Sequence, residues 1–402
     1  MFFCGENKGT LFACSSAHMM NHIHMFILPA LIPVFQRIFH LSYSQISFLL
    51  ASFFFGLAVL NPVAGIWAAN HSKKFIVVVG ICGGGLMLLF LASVDSYEVL
   101  LFVLLVYGAF LTFYHPAGTT ILANSFEERV RGRVMGVHSV GSSLGTILGP
   151  LLIWFFLKES TYQAALWFFS FLSLAIGGLA IWLIQEVRMS PLIPKENAPR
   201  LPHLRELLRL VREQRFFLAL ISYGLRDGVY WGLFIFLPLY LIHQFRYSEG
   251  GAAGMLALVP LVGLLATITG GVVGDRMGHI RTMTGSMAVV GSGFWLIPVI
   301  PSQEVVFYLL FLIVTFAIFA TVPLFDAAIA DITPAHLRSV AYGYFFGLGC
   351  FLGGVVTVLG GILSDLFSPR MAFWVLGAGS FLCAYLVWSV GNCKPLKFKF
   401  RI

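Results

Sequence analysis

A chain of 402 residues with 59% hydrophobic side chains, only 10% charged ones and a mean hydropathy of +0.90 is excluded from the soluble globular class, in which about 25% of residues are charged. The net charge of +8 would suit a nucleic-acid partner if the cations formed one patch, but they sit in short segments between long apolar runs. Six cysteines, Cys4, Cys14, Cys82, Cys350, Cys383 and Cys393, show no CxxC spacing and lie in or beside apolar segments, as reduced structural thiols do.

Runs long enough to cross about 30 Å of hydrocarbon fall at 12–35, 46–69, 75–93, 98–123, 134–157 and 164–185, then at 216–242, 250–273, 282–300, 305–330, 340–363 and 371–390. The first is too long for a cleavable leader and carries Asn21 and three histidines, so it is expected to stay as a span. With so little polar sequence between runs, helices are the expected spanning structure; a barrel would show short alternating segments. The polar centre, 187–215, is rich in Pro and Arg. Within it 204–215 reads as a basic amphipathic helix on the membrane surface, with Leu204, Leu207, Leu208 and Val211 on one face and Arg205, Arg209 and Arg212 on the other. The expectation is an all-α membrane protein of about 12 transmembrane helices: a six-helix bundle at 1–186, a cytoplasmic linker at 187–215, and a second six-helix bundle with a basic tail at 216–402. If the N-terminus is cytoplasmic, 20 Lys and Arg lie on the inner side and 4 on the outer, with Arg226 inside a span. This asymmetry predicts cytoplasmic termini and linker, and accounts for the net charge without a nucleic acid.

The halves repeat one another. Gly65 to Ser72 at the end of the second span answers Gly271 to Arg281 after the eighth, Arg131 to Gly136 answers Arg338 to Gly343, and Pro116 answers Pro323, at offsets of 206, 207 and 207 positions. Duplicated bundles joined by a linker are a transporter architecture. The segment Gly271-x-x-x-Asp275-Arg276-x-Gly278-x-x-Arg281 resembles the loop signature of the major facilitator superfamily, and the six-plus-six layout resembles that family over the whole chain. The first copy departs from the signature, with Ala69, Asn70 and Ser72 where Asp, Arg and Gly would stand. Gly136, Gly145, Gly149 and Pro150 are similar to the family's antiporter motif, although Ile153 and Trp154 replace its closing glycine pair. His18-Met-Met-Asn21-His22, Leu28-Pro29-Ala30-Leu31-Ile-Pro33, Leu41 to Ile46 and His115-Pro116-Ala117 resemble the fosmidomycin-resistance type of transporter, with His22 where that group commonly has Asp. The resemblance implies that Asp275, Arg276 and Arg281, with Arg131 and Arg338 in the related turns, gate conformational change, and that spans 1, 4, 7 and 10 line a central cavity.

Ionisable groups within a span are costly and so point to function. Those singled out are His18, His22 and His24, with Asn21, in span 1; His115 in span 4; Arg226 and Asp227 in span 7; and Asp326 in span 10. His18, Asn21, His22 and Met25 follow i, i+3, i+4, i+7 and share one face, while His24 points elsewhere. That face suits substrate or protons; the structural alternative is bonding between helices, and His18 with His22 at i and i+4 is a possible metal pair without an acidic or cysteine partner. Arg226 suits an anionic phosphonate or carboxylate, or else a buried inter-helix ion pair with Asp326 or with neighbours of Asp227. Being adjacent, Arg226 and Asp227 are expected to diverge by about 100° and to satisfy each other poorly. Asp227 and Asp326 are the expected proton carriers, since burial and a guanidinium act on a carboxyl in opposite senses and substrate on Arg226 would alter the balance.

No GKS/T loop or HExxH arrangement is present, so neither ATP, a cofactor nor enzymatic chemistry is expected. The expected function is proton-coupled alternating-access transport of a small polar or anionic molecule, leaning to efflux, by a monomer in a bacterial inner membrane. Its partners are then the substrate, protons and lipid. Uptake or export of a metal ion or a chelate such as a siderophore is one alternative, and a non-transporting receptor or sensor is another.

Overall fold

The computed structural model describes residues 7–185, 211–299, 304–333 and 338–393, and these are almost entirely helical. The helices are α1 (Lys8–Phe39), α2 (Tyr43–Asn70), α3 (Lys73–Leu91), α4 (Tyr97–Leu111), α5 (Tyr114–Ser125), α6 (Glu128–Glu159) and α7 (Tyr162–Leu183). After the linker come α8 (Gln214–Phe245), α9 (Glu249–Met277), α10 (His279–Leu296), α11 (Glu304–Ile332), α12 (Arg338–Leu366) and α13 (Met371–Asn392). Among the described residues, twelve stretches are long and apolar enough to cross a membrane, α4 and α5 together making one of them. Most of the amphipathic stretch expected at 204–215 lies outside the described residues.

The starts of several helices are written in the chain. Ser42 caps α2 reciprocally: the Gln45 N–H donates to Ser42 Oγ at 3.2 Å and the Ser42 N–H donates to Gln45 Oε1 at 2.9 Å. Ser72, Ser96 and Thr161 cap α3, α4 and α7 through a single bond each, accepting from the N–H of Phe75, Val99 and Ala164. Large apolar side chains remain on the outside, Trp182 being 88% exposed and Phe367 72%. In water such a surface would aggregate; in a bilayer it is the face offered to lipid.

Contacts divide the chain into two compact units, one holding α1 to α7 together with Phe234–Leu261, the other holding the first part of α8 and the chain from Val262 onward. In the first unit α1 and α6 approach closely. A Cβ at Gly145 would collide with the Met19 carbonyl, while Gly149 faces the Ile23 carbonyl and Gly136 faces open space.

The expected fourth span is broken. Pro116 has no N–H, and its ring excludes the carbonyl four residues back, at Thr112. The helix accordingly stops at Leu111 and restarts at Tyr114. The Leu111 carbonyl accepts instead from Asn21 Nδ2 at 2.9 Å, so a side chain of α1 satisfies a backbone group that the break leaves open.

Candidate functional site

The first unit gathers four histidines. His18 and His22 stand one turn apart on α1 with ring centroids 4.9 Å apart. The restart of the chain at α5 brings His115 to 5.3 Å from His18 and 5.9 Å from His22. His138 of α6 stacks on His18 at 4.0 Å with an interplanar angle of 13°. His18 is 7% exposed, and His22 and His115 are half-buried.

Hydrogen bonds assign tautomers to His18, His22 and His138. His18 Nδ1 lies 3.0 Å from the His138 carbonyl, which only accepts, so Nδ1 carries the proton and Nε2 holds the free lone pair. His22 Nδ1 lies 3.2 Å from Thr146 Oγ1, whose own hydrogen is given to the Ser142 carbonyl at 2.9 Å. Thr146 therefore accepts from His22, and His22 Nε2 is also bare. The Tyr114 hydroxyl donates to the Cys14 carbonyl and accepts from His138 Nε2 at 2.8 Å. His24 points away, as its place in the helix expects, with Nδ1 2.7 Å from the Tyr107 hydroxyl and Nε2 2.8 Å from Ser173 Oγ. Asn21 gives Nδ2 to the backbone at the α4–α5 break, and its Oδ1 is buried with no hydrogen bond among the described residues.

The second unit holds a buried guanidinium. Contrary to expectation, Arg226 and Asp227 do pair: Nη1 donates to Asp227 Oδ1 at 2.6 Å, with both side chains under a tenth exposed. A long arginine stem can reach the next residue's carboxylate, and where burial excludes water an adjacent carboxylate is a better partner than none. The bonded partner is thus Asp227 and not Asp326. Arg226 Nε donates to Thr321 Oγ1 of α11 at 3.1 Å, and the guanidinium lies 5.0 Å from the Tyr230 ring centroid. Arg226 Nη2 is buried and makes no hydrogen bond among the described residues. Asp227 Oδ2 reaches α12 where Gly349 leaves room, since a Cβ there would come within 2.8 Å of it. Asp326, on α11, is exposed, and its backbone carbonyl accepts from the Tyr342 hydroxyl at 2.9 Å.

The loop between α9 and α10 turns at Gly278, whose φ of 91° suits only glycine. Asp275, Arg276 and Arg281 are all exposed. Asp275 meets His279 at 3.5 Å, and His279 Nδ1 lies 3.7 Å from Asp331 Oδ2, so a histidine stands between two carboxylates of α9 and α11. Arg131 is half-buried on α6, with no hydrogen bond at Nε among the described residues. Arg338 opens α12, and its side chain lies outside the described residues.

His138, in the fifth span, is as visible in the sequence as the other histidines but is not among the residues expected at the site. Thr146, Tyr114, Thr321, Tyr230 and His279 are likewise absent from the expected set. Nothing in their local patterns says which helix they meet, because that depends on the packing of distant segments.

Residues 14–358 match the sequence model of the Major Facilitator Superfamily. The fosmidomycin resistance protein of Escherichia coli (strain K12) is 25% identical over 390 residues, 94% of this chain and 90% of that protein. Multidrug resistance protein 2 of Bacillus subtilis (strain 168) is 24% identical over 354 residues, 85% of this chain and 84% of that protein. Among solved structures, a bacterial homolog of the human lysosomal transporter Spinster superposes with a TM-score of 0.79 at 13% identity, over 96% of this chain and 98% of that one. The nucleoside transporter NupG superposes with a TM-score of 0.78 at 15% identity, over 96% of this chain and all of that one. A family match across most of the chain, on a helical fold that these transporters share, establishes that the protein belongs to the major facilitator superfamily.

Proposed function

We propose that this protein is a proton-coupled secondary transporter of a small anionic molecule, and that Arg226 is its anion contact. The observation that carries the reading is a desolvated guanidinium whose Nη2 makes no hydrogen bond among the described residues, beside the ring of Tyr230 and held by Asp227 and Thr321. Such a group takes a carboxylate or phosphonate oxygen by charge-assisted hydrogen bonds. An arriving anion competes with Asp227 for the guanidinium, and the carboxyl so released can take up a proton. Asp326 is the second proton carrier in this scheme. Asp275, Arg276 and Arg281, with Arg131 and Arg338, act at the gating loops, while Gly145 and Gly149, in the motif with Gly136 and Pro150, let α1 and α6 approach. Access alternates through rearrangement of two halves, 1–186 and 216–402.

Efflux is the favoured direction, supported by the resistance functions in the names of two relatives. The protein acts as a monomer in a bacterial inner membrane with both termini cytoplasmic, a placement supported by the distribution of Lys and Arg.

The test is flux of phosphonate and carboxylate panels in proteoliposomes with and without an imposed pH gradient. Gradient-dependent flux of at least one anion is expected, reduced more than about tenfold in Arg226→Gln, a loss corresponding to one charge-assisted contact. If Asp227→Asn and Asp326→Asn both leave gradient-driven flux intact, proton coupling through these carboxylates is wrong. Equal flux of neutral and anionic substrates in both wild type and Arg226→Gln would sink the anion assignment.

A further inference from the structure

The histidine group of the first unit has features that anion transport does not call for. One ring nitrogen from each of His18, His22 and His115 lies within 4.8 Å of the other two. The three come from two helices and are brought together by the Pro116 break that sets the start of α5. His18 and His22 each have Nδ1 tied off, by the His138 carbonyl and by Thr146 Oγ1, which aims an unprotonated Nε2 away from those partners. A histidine whose second ring nitrogen donates to a carbonyl or hydroxyl is the arrangement that orients imidazoles as metal ligands. Stacking and packing alone would need neither the common tautomer nor the convergence.

We propose that His18, His22 and His115 form a binding site for a divalent first-row transition-metal ion of the kind imidazole favours, with Zn2+ as the probe. Imidazole nitrogens bind zinc at about 2.0–2.1 Å, which in a tetrahedral site places them about 3.3 Å apart. The present separation of up to 4.8 Å closes by small ring rotations and by adjustment of the first turn of α5, next to a break where the backbone is not held by a continuous helix. His138 and Thr146 are positioning residues that hold the ligands through Nδ1. Three protein ligands leave a fourth coordination position for water or for an anionic group of a small molecule. The group contains no carboxylate or thiolate, so the ion keeps its full charge and such an anion is favoured there.

The test uses the full chain, purified in detergent without a polyhistidine tag and stripped with a chelator. Zn2+ binding is measured by equilibrium dialysis with metal analysis, and the bound ion by X-ray absorption. One Zn2+ per chain in an all-nitrogen-and-oxygen shell is expected, with a rise in thermal midpoint that Mg2+ does not produce. His22→Gln and His115→Gln each abolish stoichiometric binding. Thr146→Val, which keeps the shape but removes the acceptor for His22 Nδ1–H, weakens it about 10- to 100-fold while Thr146→Ser restores it. His40→Gln, at an exposed position, leaves binding unchanged. Each variant is first shown to be monodisperse with a metal-free melting temperature near that of the parent. Absence of stoichiometric binding, sulfur in the shell, or wild-type affinity in His22→Gln or His115→Gln overturns the proposal, whatever the outcome of the flux measurements.

Discussion

Arg226 shows how burial changes the value of a neighbour. On an exposed helix the side chains of residues i and i+1 have little reason to meet, but here no water competes and the guanidinium reaches Asp227 at 2.6 Å. Removing one partner of such a pair strands the other charge, at a cost of about 3–5 kcal/mol. Asp227→Ala is therefore expected to lower the thermal midpoint markedly, whereas a double Arg226→Met, Asp227→Leu change recovers most of the stability while transport is lost. A melting series in detergent checks this: if Asp227→Ala melts with the wild type, the pair is not desolvated as described. Gly349 belongs to the same argument, because its missing side chain is the room that Asp227 Oδ2 occupies. The identities of Arg226 and Asp227 as unusual in-span residues are legible in the sequence; their mutual bond, the Thr321 acceptor and the Tyr230 ring are not.

At the scale of the element, two devices make predictions. Asn21 serves the broken α4–α5 span by donating to the Leu111 carbonyl, so Asn21→Ala leaves that buried acceptor open and costs about 1–3 kcal/mol. The loss is read in thermal unfolding, and Asn21→Leu, similar in bulk but without a donor, should show it equally. The glycines of α6 differ sharply in environment. Gly145→Ala drives a methyl group into the Met19 carbonyl and is expected to cost about 1–3 kcal/mol as overpacking. Gly136→Ala meets nothing within 4 Å and should instead stabilise by up to about 1 kcal/mol through helix propensity. Equal effects at the two positions would refute the close α1–α6 approach. At the α9–α10 turn, Gly278→Ala forces a side chain into a region that glycine alone populates, at about 1–3 kcal/mol. That change should slow transport as well as lower stability, if this loop gates the cycle.

For the whole molecule, the distribution of Lys and Arg makes a prediction independent of any side-chain contact. A C-terminal reporter that folds only in the cytoplasm is expected to be active, and one that folds only after export inactive, with the same result for a fusion in the 187–215 linker. The opposite pattern at either place would invert the orientation. Spans and family were readable because hydropathy and the repeat are properties of local sequence: apolar runs of bilayer length leave a helix few alternatives when every backbone group must be bonded internally. The α4–α5 break was foreshadowed by Pro116, and the Ser42–Gln45 cap by its spacing, though neither was read from the chain. What only the tertiary structure decided is which side chains meet. His18 and His22 share a face by helical period, but His115 and His138 join them through packing across separations of about a hundred residues. Likewise Phe234–Leu261 groups with the first unit while the residues just before it group with the second, a division inside one continuous helix. Periodicity fixes which way a residue faces on its own helix; the partner on the other side is set by the packing of the whole chain.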